Sequence, residues 1–143
     1  MTERKYEKCF VTMDKPGLNL PSYRHQYDFI KRITHIDSDT VSGAKFYNES
    51  MWILPDDSTK EGKVLADSHT HDWDQLLGFC VYNYDDIHDL GAEVEFTIDG
   101  ETHIIKKTFT AFIPAGIQHG PIIIRNVTKP IFHFSSGSTG QYT

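Results

Sequence analysis

The sequence predicts an all-β domain, an antiparallel barrel or sandwich of short strands. Apolar and aromatic segments alternate with turn signals at intervals of about 8–12 residues, which is typical of all-β folds. The chain has 143 residues and is rich in aromatic side chains, with nine Phe, seven Tyr and two Trp. Such large flat side chains pack well on pleated sheets. The length suits a single domain with one hydrophobic core.

The first 40 residues are predicted to form an N-terminal arm that packs on the barrel. Residues 9–13 have the composition of a single strand, and Pro16-Gly17 is a turn signal. In residues 23–36, apolar side chains recur at roughly helical spacing, which favours one short helix. These side chains are Tyr27, Ile30, Ile33 and Ile36.

Residues 41–135 are predicted to form the barrel, and residues 136–143 a C-terminal tail. Residues 93–98 alternate strictly, and the Asp99-Gly100 pair that follows favours a hairpin because Gly tolerates positive φ. Further strands are predicted at residues 41–54, 64–71, 76–84, 102–106, 109–113, 122–124 and 131–134. Cys80 and five aromatic side chains are expected to fill the core: Trp73, Phe79, Tyr82, Phe112 and Phe134.

Composition narrows the classes of partner. The formal net charge of −6 argues against the phosphate backbone of nucleic acid. Two cysteines, Cys9 and Cys80, do not make a disulfide framework. The charged N-terminal segment resembles no signal peptide, and no apolar run is long enough to cross a bilayer. We therefore expect a cytoplasmic protein that acts on a small molecule, without nucleic-acid or membrane partners.

Three histidines form the candidate site. His69 and His71 stand at i and i+2, so on an extended strand both side chains point to the same face. His119 follows the Pro114-Ala115-Gly116 turn, which can bring it to the same place from a distant part of the chain. Neutral imidazole is the commonest protein ligand for mid-row transition metals. Without a third ligand, a His-x-His pair on a strand would more simply be two solvent-exposed histidines that bind no metal.

The spacing of these residues resembles the two motifs of the cupin superfamily. His69 and His71 match the H-x-H of the first motif, and Gln75 falls at its glutamate position. Pro114, Gly116 and His119 match the P-x-G-x-x-H of the second motif without a gap. The hairpin with the Asp99-Gly100-Glu101 turn is also similar to the segment between the motifs, and the match covers residues 62–134. Tyr82, Thr108 and Ile123 replace the glycines and the asparagine of the motifs.

The resemblance implies a cupin-type antiparallel β-barrel, the double-stranded β-helix or jelly roll. It also implies one divalent transition metal ion per chain, with Fe, Mn, Ni, Co or Zn all suited to the ligands His69, His71, His119 and Gln75. The implied function is a metal-dependent enzyme acting on a small anionic or metal-chelating substrate, with a dioxygenase first among reaction types. The alternatives are a non-redox isomerase or decarboxylase and a non-catalytic ligand-binding cupin. The family habit of pairing through sheet edges, often by exchange of a terminal strand, implies a homodimer.

The fourth ligand stays open at this stage. Gln75 either contacts the ion or orients a ligand or water from behind. Asp74 is an alternative, but strand parity turns it away from the histidines. Glu93 and Glu95 are further alternatives, although the apolar residues that alternate with them are expected to occupy the inner face of the strand.

One further residue is a candidate for acid–base catalysis. His133 shares a strand face with Ile131 and Ser135, which would place it at the barrel mouth. No motif supports the remaining histidines, which are expected to be surface or hydrogen-bonded residues: His25, His35, His88 and His103.

Overall fold

Two antiparallel sheets form the fold in the computed structural model, which describes residues 4–143. Within these residues the chain has nine strands and two short 3-10 helices, Glu7–Cys9 and Asp57–Glu61. The strands are β1 (Ile30–Ile36), β2 (Tyr47–Ile53), β3 (Lys63–Ala66), β4 (Gln75–Val81), β5 (Asp89–Ile98), β6 (Glu101–Lys107), β7 (Phe109–Ile113), β8 (His119–Arg125) and β9 (Ile131–Gly137). The predicted all-β jelly-roll architecture is confirmed.

The strand order brings distant segments together. One sheet has the order β1-β2-β9-β4-β7 and the other the order β3-β8-β5-β6. The late strands β8 and β9 are each inserted between earlier ones, so each connects parts of the chain that are far apart in sequence. None of the helices in residues 4–143 is long and apolar enough to span a membrane.

The core lies between the inner faces of the two sheets. In β5 the predicted alternation is present: Val94 and Phe96 are buried, whereas Glu93 and Glu95 lie near Arg125 of β8. The predicted Asp99-Gly100 turn is also present, with both residues at positive φ. Buried apolar side chains of both sheets complete the core, including Leu77, Phe79, Ile113, Ile124 and Ile131.

The predicted helix in residues 23–36 is wrong, because β1 occupies its second half. β1 pairs antiparallel with β2, and its register shifts between Arg32 and Thr34. This bulge adds one residue, Ile33, that has no partner on β2. An extra residue in a strand changes the spacing of apolar side chains from two to three, which imitates helical periodicity.

Two other sequence-based boundaries need correction. The predicted strand at residues 9–13 is wrong: the chain there is a 3-10 turn followed by irregular backbone, with Phe10 and Met13 exposed. The predicted strand at residues 41–54 begins only at Tyr47, since residues 41–44 form a turn in which Ala44 N–H donates to the Val41 carbonyl. Residues 1–3 of the predicted arm lie outside the described residues.

Several aromatic residues expected in the core lie on the opposite side of the larger sheet. Phe79 and Trp73 are buried as predicted, but Tyr82 is 53% exposed and Phe112 is 62% exposed. Phe134 also faces outward, and its ring lies against Gly78, where a Cβ would overlap it. We call this surface the outer aromatic face. It comprises Trp52, Leu76, Tyr82, Phe112, Phe132 and Phe134, with half-buried Cys80 among them.

A buried ion cluster joins β1 and β2 to the segment before β1. Glu49 is fully buried, and its carboxylate accepts hydrogen bonds from Arg24 Nη1 at 2.5 Å and Arg32 Nη2 at 3.2 Å. Burial alone would raise the pKa of Glu49, but the two guanidinium groups outweigh it and lower the pKa to about 2. The carboxylate is therefore ionised at neutral pH.

The same cluster continues to Asp37, which is 1% exposed. Its carboxylate is 2.7 Å from Lys15 Nζ and 2.8 Å from His35 Nε2. Burial works to raise the pKa of Asp37, but the hydrogen bonds from Lys15 and His35 prevail and lower it to about 2. This ion pair ties the N-terminal arm to the barrel, although the arm contributes no strand at residues 9–13.

Candidate metal centre

The three predicted histidines converge at one end of the fold. His69 and His71 lie in the loop between β3 and β4 and not in a continuous strand. Two backbone hydrogen bonds pair His69 with His119, from His69 N–H at 2.8 Å and from His119 N–H at 3.0 Å. Gly116 N–H donates to the His71 carbonyl at 2.8 Å, which fastens the Pro114-Ala115-Gly116 turn to the same loop. The two motifs thus meet through backbone contacts.

Each imidazole presents the same nitrogen to the centre. The Nδ1 atoms lie 2.7 to 2.9 Å from backbone carbonyls, of Asp67 for His69, Trp73 for His71 and Ile117 for His119. A carbonyl can only accept, so each Nδ1 carries the proton and each Nε2 has a free lone pair. One ring nitrogen from each histidine lies within 4.8 Å of those of the other two.

Gln75 completes the donor set from the first residue of β4. Its Oε1 lies 3.1 Å from Nε2 of both His71 and His119, and its amide nitrogen donates to Ser135 Oγ at 2.9 Å. Ser135 Oγ is also hydrogen-bonded to the Tyr47 hydroxyl at 3.1 Å. The amide is thereby held with its oxygen towards the histidines.

The chemistry of this donor set fits a metal ion. Three imidazole lone pairs and one amide oxygen point at each other, and none of the four atoms carries a proton to share. Such a group of acceptors is stable when a cation lies between them, and nitrogen with one amide oxygen suits a divalent transition metal. The contacts of each Nδ1 with a carbonyl are the usual support of a metal-binding histidine.

Packing keeps the imidazoles fixed, and burial keeps His69 and His119 neutral. The Tyr23 ring stacks on His69 at 3.6 Å, and the Trp73 ring stacks on His71 at the same distance. Burial lowers the pKa of His69 to about 4 and also lowers the pKa of His119. Both residues are therefore in the neutral form that binds metal at pH 7.

A cavity of about 30 Å³ adjoins the centre between the two sheets. Its wall is mostly apolar, with Met51, Leu77 and Phe79 among the lining side chains. Among residues 4–143, no Asp or Glu lines it. The polar side chains at the wall are Tyr23, Arg24, His25, Tyr47, His69, Gln75, His133 and Ser135.

His133 lies in this cavity wall, away from the three converging histidines. Its Nδ1 donates to the Gly78 carbonyl at 2.7 Å, and its ring stacks on Phe79 at 4.1 Å. Burial lowers the pKa of His133 to about 4, so the ring is neutral at pH 7. Among the described residues, Nε2 has no hydrogen-bond partner.

The alternative fourth ligands have other partners. Asp74 accepts a hydrogen bond from Ala115 N–H at 2.9 Å, and Glu93 and Glu95 lie 3.6 and 3.2 Å from Arg125 Nη1. None of these carboxylates belongs to the cluster of possible metal ligands found within residues 4–143. Three of the other histidines pair with acids: His25 with Asp67, His35 with Asp37 and His103 with Glu101.

Sequence reasoning missed three side chains at this site. Arg24 lines the cavity from a segment without a motif, and Tyr23 and Tyr47 support His69 and Ser135. Ser135 itself had a signal, since it shares a strand face with His133. The other three have no local pattern that marks them, because each reaches the site only through the strand order.

Comparison with solved structures finds similar folds at low sequence identity. An oxalate oxidase in complex with the substrate analogue glycolate aligns with 100% of this chain and 65% of that chain, with a TM-score of 0.54 and 12% identity. Peruvianin-I, a cysteine peptidase from Thevetia peruviana latex, aligns with 87% of this chain and 70% of that chain, with a TM-score of 0.52 and 13% identity. A cupin protein from Bacteroides fragilis aligns with 87% of this chain and 90% of that chain, with a TM-score of 0.46 and 12% identity.

The two structures with TM-scores above 0.5 establish the fold and not the reaction. The chain spans 55% to 65% of the length of the oxalate oxidase chains with which it aligns. No family model matches the sequence, and no curated protein has a matching sequence. The chemistry must therefore be argued from the residues of this chain.

Proposed function

Since this chain has the cupin fold, we propose that it is a metal-dependent enzyme that acts on a small anionic or metal-chelating substrate, and specifically a dioxygenase. The observation that carries the proposal is the convergence of four acceptor atoms, from His69, His71, His119 and Gln75, with no proton among them. The adjoining cavity gives a substrate a place beside the ion. The fold shared with an oxalate oxidase is consistent with oxidative chemistry at such a site.

The side chains of the cavity supply the rest of the chemistry. A divalent metal held by the three histidines and Gln75 would contribute Lewis acidity and, if it is iron, electron transfer to dioxygen. The mostly apolar wall limits access of water. His133 Nε2 takes the proton that an enol or hydroxyl group of the substrate loses when it binds as an anion.

Oxygen uptake tests the proposed reaction. The protein is loaded with ferrous ion under anaerobic conditions and mixed with a panel of β-diketones, catechols and short carboxylates, including glycolate. We expect oxygen consumption that depends on both iron and substrate. Binding of these compounds without turnover, in protein loaded aerobically and anaerobically, would show a binding protein instead. Elemental analysis of natively purified protein identifies the ion.

Replacing Gln75 by Glu should tighten metal binding about tenfold or more. Gln75 Oε1 points at the same centre as the histidine lone pairs, and a carboxylate there would add a negative charge beside a divalent ion. Competition titration with a chelator, using Co²⁺ or Zn²⁺, measures the change. Gln118→Glu is the matched control, because this exposed glutamine donates to Ser68 instead. Equal affinity in Gln75→Glu and the wild type would remove Gln75 from the ligand set.

The outer aromatic face supports a homodimer. The outward positions of β4, β7 and β9 on this face hold no charged side chain, and the aromatic rings are in contact, with Trp52 and Phe132 centroids 5.6 Å apart. An exposed apolar patch of this kind marks an interaction surface. A second copy of the chain presents an identical uncharged surface, and two-fold pairing of identical patches is the commonest form of assembly.

Phe112→Glu should therefore convert a dimer into a monomer. The substitution places a charge on the edge strand of a face that would be buried, on a side chain that is 62% exposed in the single chain. Light scattering at micromolar concentration measures the mass. Ile104→Glu on β6 is the control, since Ile104 is 51% exposed but lies on the other sheet. A wild-type monomer at that concentration would rule out this assembly.

A further inference from the structure

Arg24 has features of a substrate-binding residue that no sequence motif marks. A backbone bridge joins it to Ala66 at the end of β3, three residues before His69. Its side chain is 16% exposed and lines the cavity together with His69, Gln75 and His133. The guanidinium group is thus held in the wall of the cavity that adjoins the candidate metal centre.

Only one edge of this guanidinium group is occupied. Nη1 donates to Glu49 at 2.5 Å and to the Tyr142 hydroxyl at 3.1 Å. Among residues 4–143, no hydrogen bond uses its Nε or Nη2. Arginine has five N–H donors in a planar fork that matches the two oxygens of a carboxylate. The second edge is therefore available for a ligand.

The charge of the cavity wall favours an anion. Among residues 4–143, Arg24 is the one Arg or Lys that lines it, and no Asp or Glu does. Glu49 balances part of the Arg24 charge, but its carboxylate also accepts a hydrogen bond from Arg32. Glu49 is not among the residues that line the cavity. Buried ion pairs add little to stability relative to well-packed apolar residues. A role in ligand binding explains why a charged arginine side chain is buried at this position.

The size of the cavity limits the ligand. A water molecule needs about 10–15 Å³ of such a cavity, so about 30 Å³ holds roughly two waters. The wall includes the apolar side chains of Ile53 and Leu65, so any part of the ligand beyond a carboxyl group must be short and apolar on that side. Resting on the proposed function, we infer that the substrate is a short carboxylate whose carboxyl group binds the free edge of Arg24, while a second donor atom, such as a 2-hydroxyl, faces the metal centre.

Comparing lactate with its uncharged analogue lactamide tests this inference. Calorimetric titration of the Co²⁺-loaded and the metal-free protein measures binding of each compound. We expect wild-type protein to bind lactate at least about tenfold more tightly than lactamide. A hydrogen bond between guanidinium and carboxylate is stronger than one between guanidinium and a neutral amide, because both partners are charged. In Arg24→Gln, lactate affinity should fall about 10- to 100-fold and lactamide affinity should not change.

The controls separate ligand binding from folding. Arg32→Gln removes a charge from the same Glu49 carboxylate but lies outside the cavity, so it should bind lactate like the wild type. If the single variant fails to fold, Arg24→Gln combined with Glu49→Gln leaves the net charge of the cluster unchanged. Equal lactate affinity in wild type and the Arg24 variants, or equal affinity for lactate and lactamide, would overturn the inference. Failure of the wild type to bind Co²⁺ would instead count against the proposed function, and the metal-free titrations would still decide the role of Arg24.

Discussion

Replacing His119 by alanine is expected to abolish metal binding, with affinity lower by at least about 100-fold. The variant removes one of three imidazole lone pairs that converge within 4.8 Å. It leaves intact the two backbone hydrogen bonds that pair residue 119 with His69. The barrel should therefore still fold while the donor set is reduced to two histidines and an amide.

Metal content after dialysis gives the readout. Wild-type protein should keep close to one ion per chain, and the variant should keep none, as measured by elemental analysis. His103→Ala is the matched control, because His103 is exposed on β6 and pairs with Glu101. If His119→Ala retained one ion per chain with undiminished affinity, the three histidines would not be the binding site. Circular dichroism of both variants checks that the sheets are intact.

Replacing Glu49 by alanine should lower the free energy of unfolding by about 3–5 kcal/mol, since removal of one partner leaves buried charges uncompensated. Glu49 is fully buried, and its carboxylate is hydrogen-bonded to both Arg24 and Arg32. Urea unfolding at pH 7 measures the loss. The control is Asp57→Asn, which breaks the exposed Lys60–Asp57 pair and should leave the unfolding midpoint unchanged.

The same carboxylate predicts the direction of acid sensitivity. The pKa of Glu49 is lowered to about 2 from an ordinary value of 4.5. A group with a depressed pKa contributes its full stabilisation above the unfolded-state value and loses it as the pH falls through the folded-state value. Wild-type stability should thus decline between pH 4.5 and 2, and Glu49→Gln should show a smaller decline. A decline of the same size in the variant would assign acid sensitivity to other groups, such as Asp37.

Local sequence patterns predicted the parts of the fold that depend on neighbouring residues. The alternation of residues 93–98 and the Asp99-Gly100 turn are both present, because strand parity and positive φ are local properties. The bulge at Ile33 was not foreseeable, since it exists only in the pairing of β1 with β2. Tyr82 and Phe112 were assigned to the core for a related reason. Hydrophobicity shows that a side chain avoids water but not which face of a sheet it occupies.

The candidate site likewise has residues that local spacing predicts and residues that only the tertiary structure reveals. The spacing of His69, His71 and His119 was enough to expect that they meet, and the structure does bring them together. Strand parity also favoured Gln75 over Asp74, although the loop that carries the histidines is not a continuous strand. Arg24 was not foreseeable, because its approach to the cavity requires the bridge to Ala66 and the pairing with Glu49. Residues held by tertiary contacts leave no periodic signal.

The location of the candidate centre has a mechanical consequence for the whole domain. Gln75 begins β4 of the five-stranded sheet, whereas His119 begins β8 of the four-stranded sheet. An ion that binds both side chains would therefore link the two sheets at one end of the domain. Stabilisation by a ligand that binds only the folded state grows with the logarithm of its free concentration. The melting temperature of this protein should therefore rise with metal concentration. Amide hydrogen exchange should slow first at the end of the domain that contains Gln75 and His119.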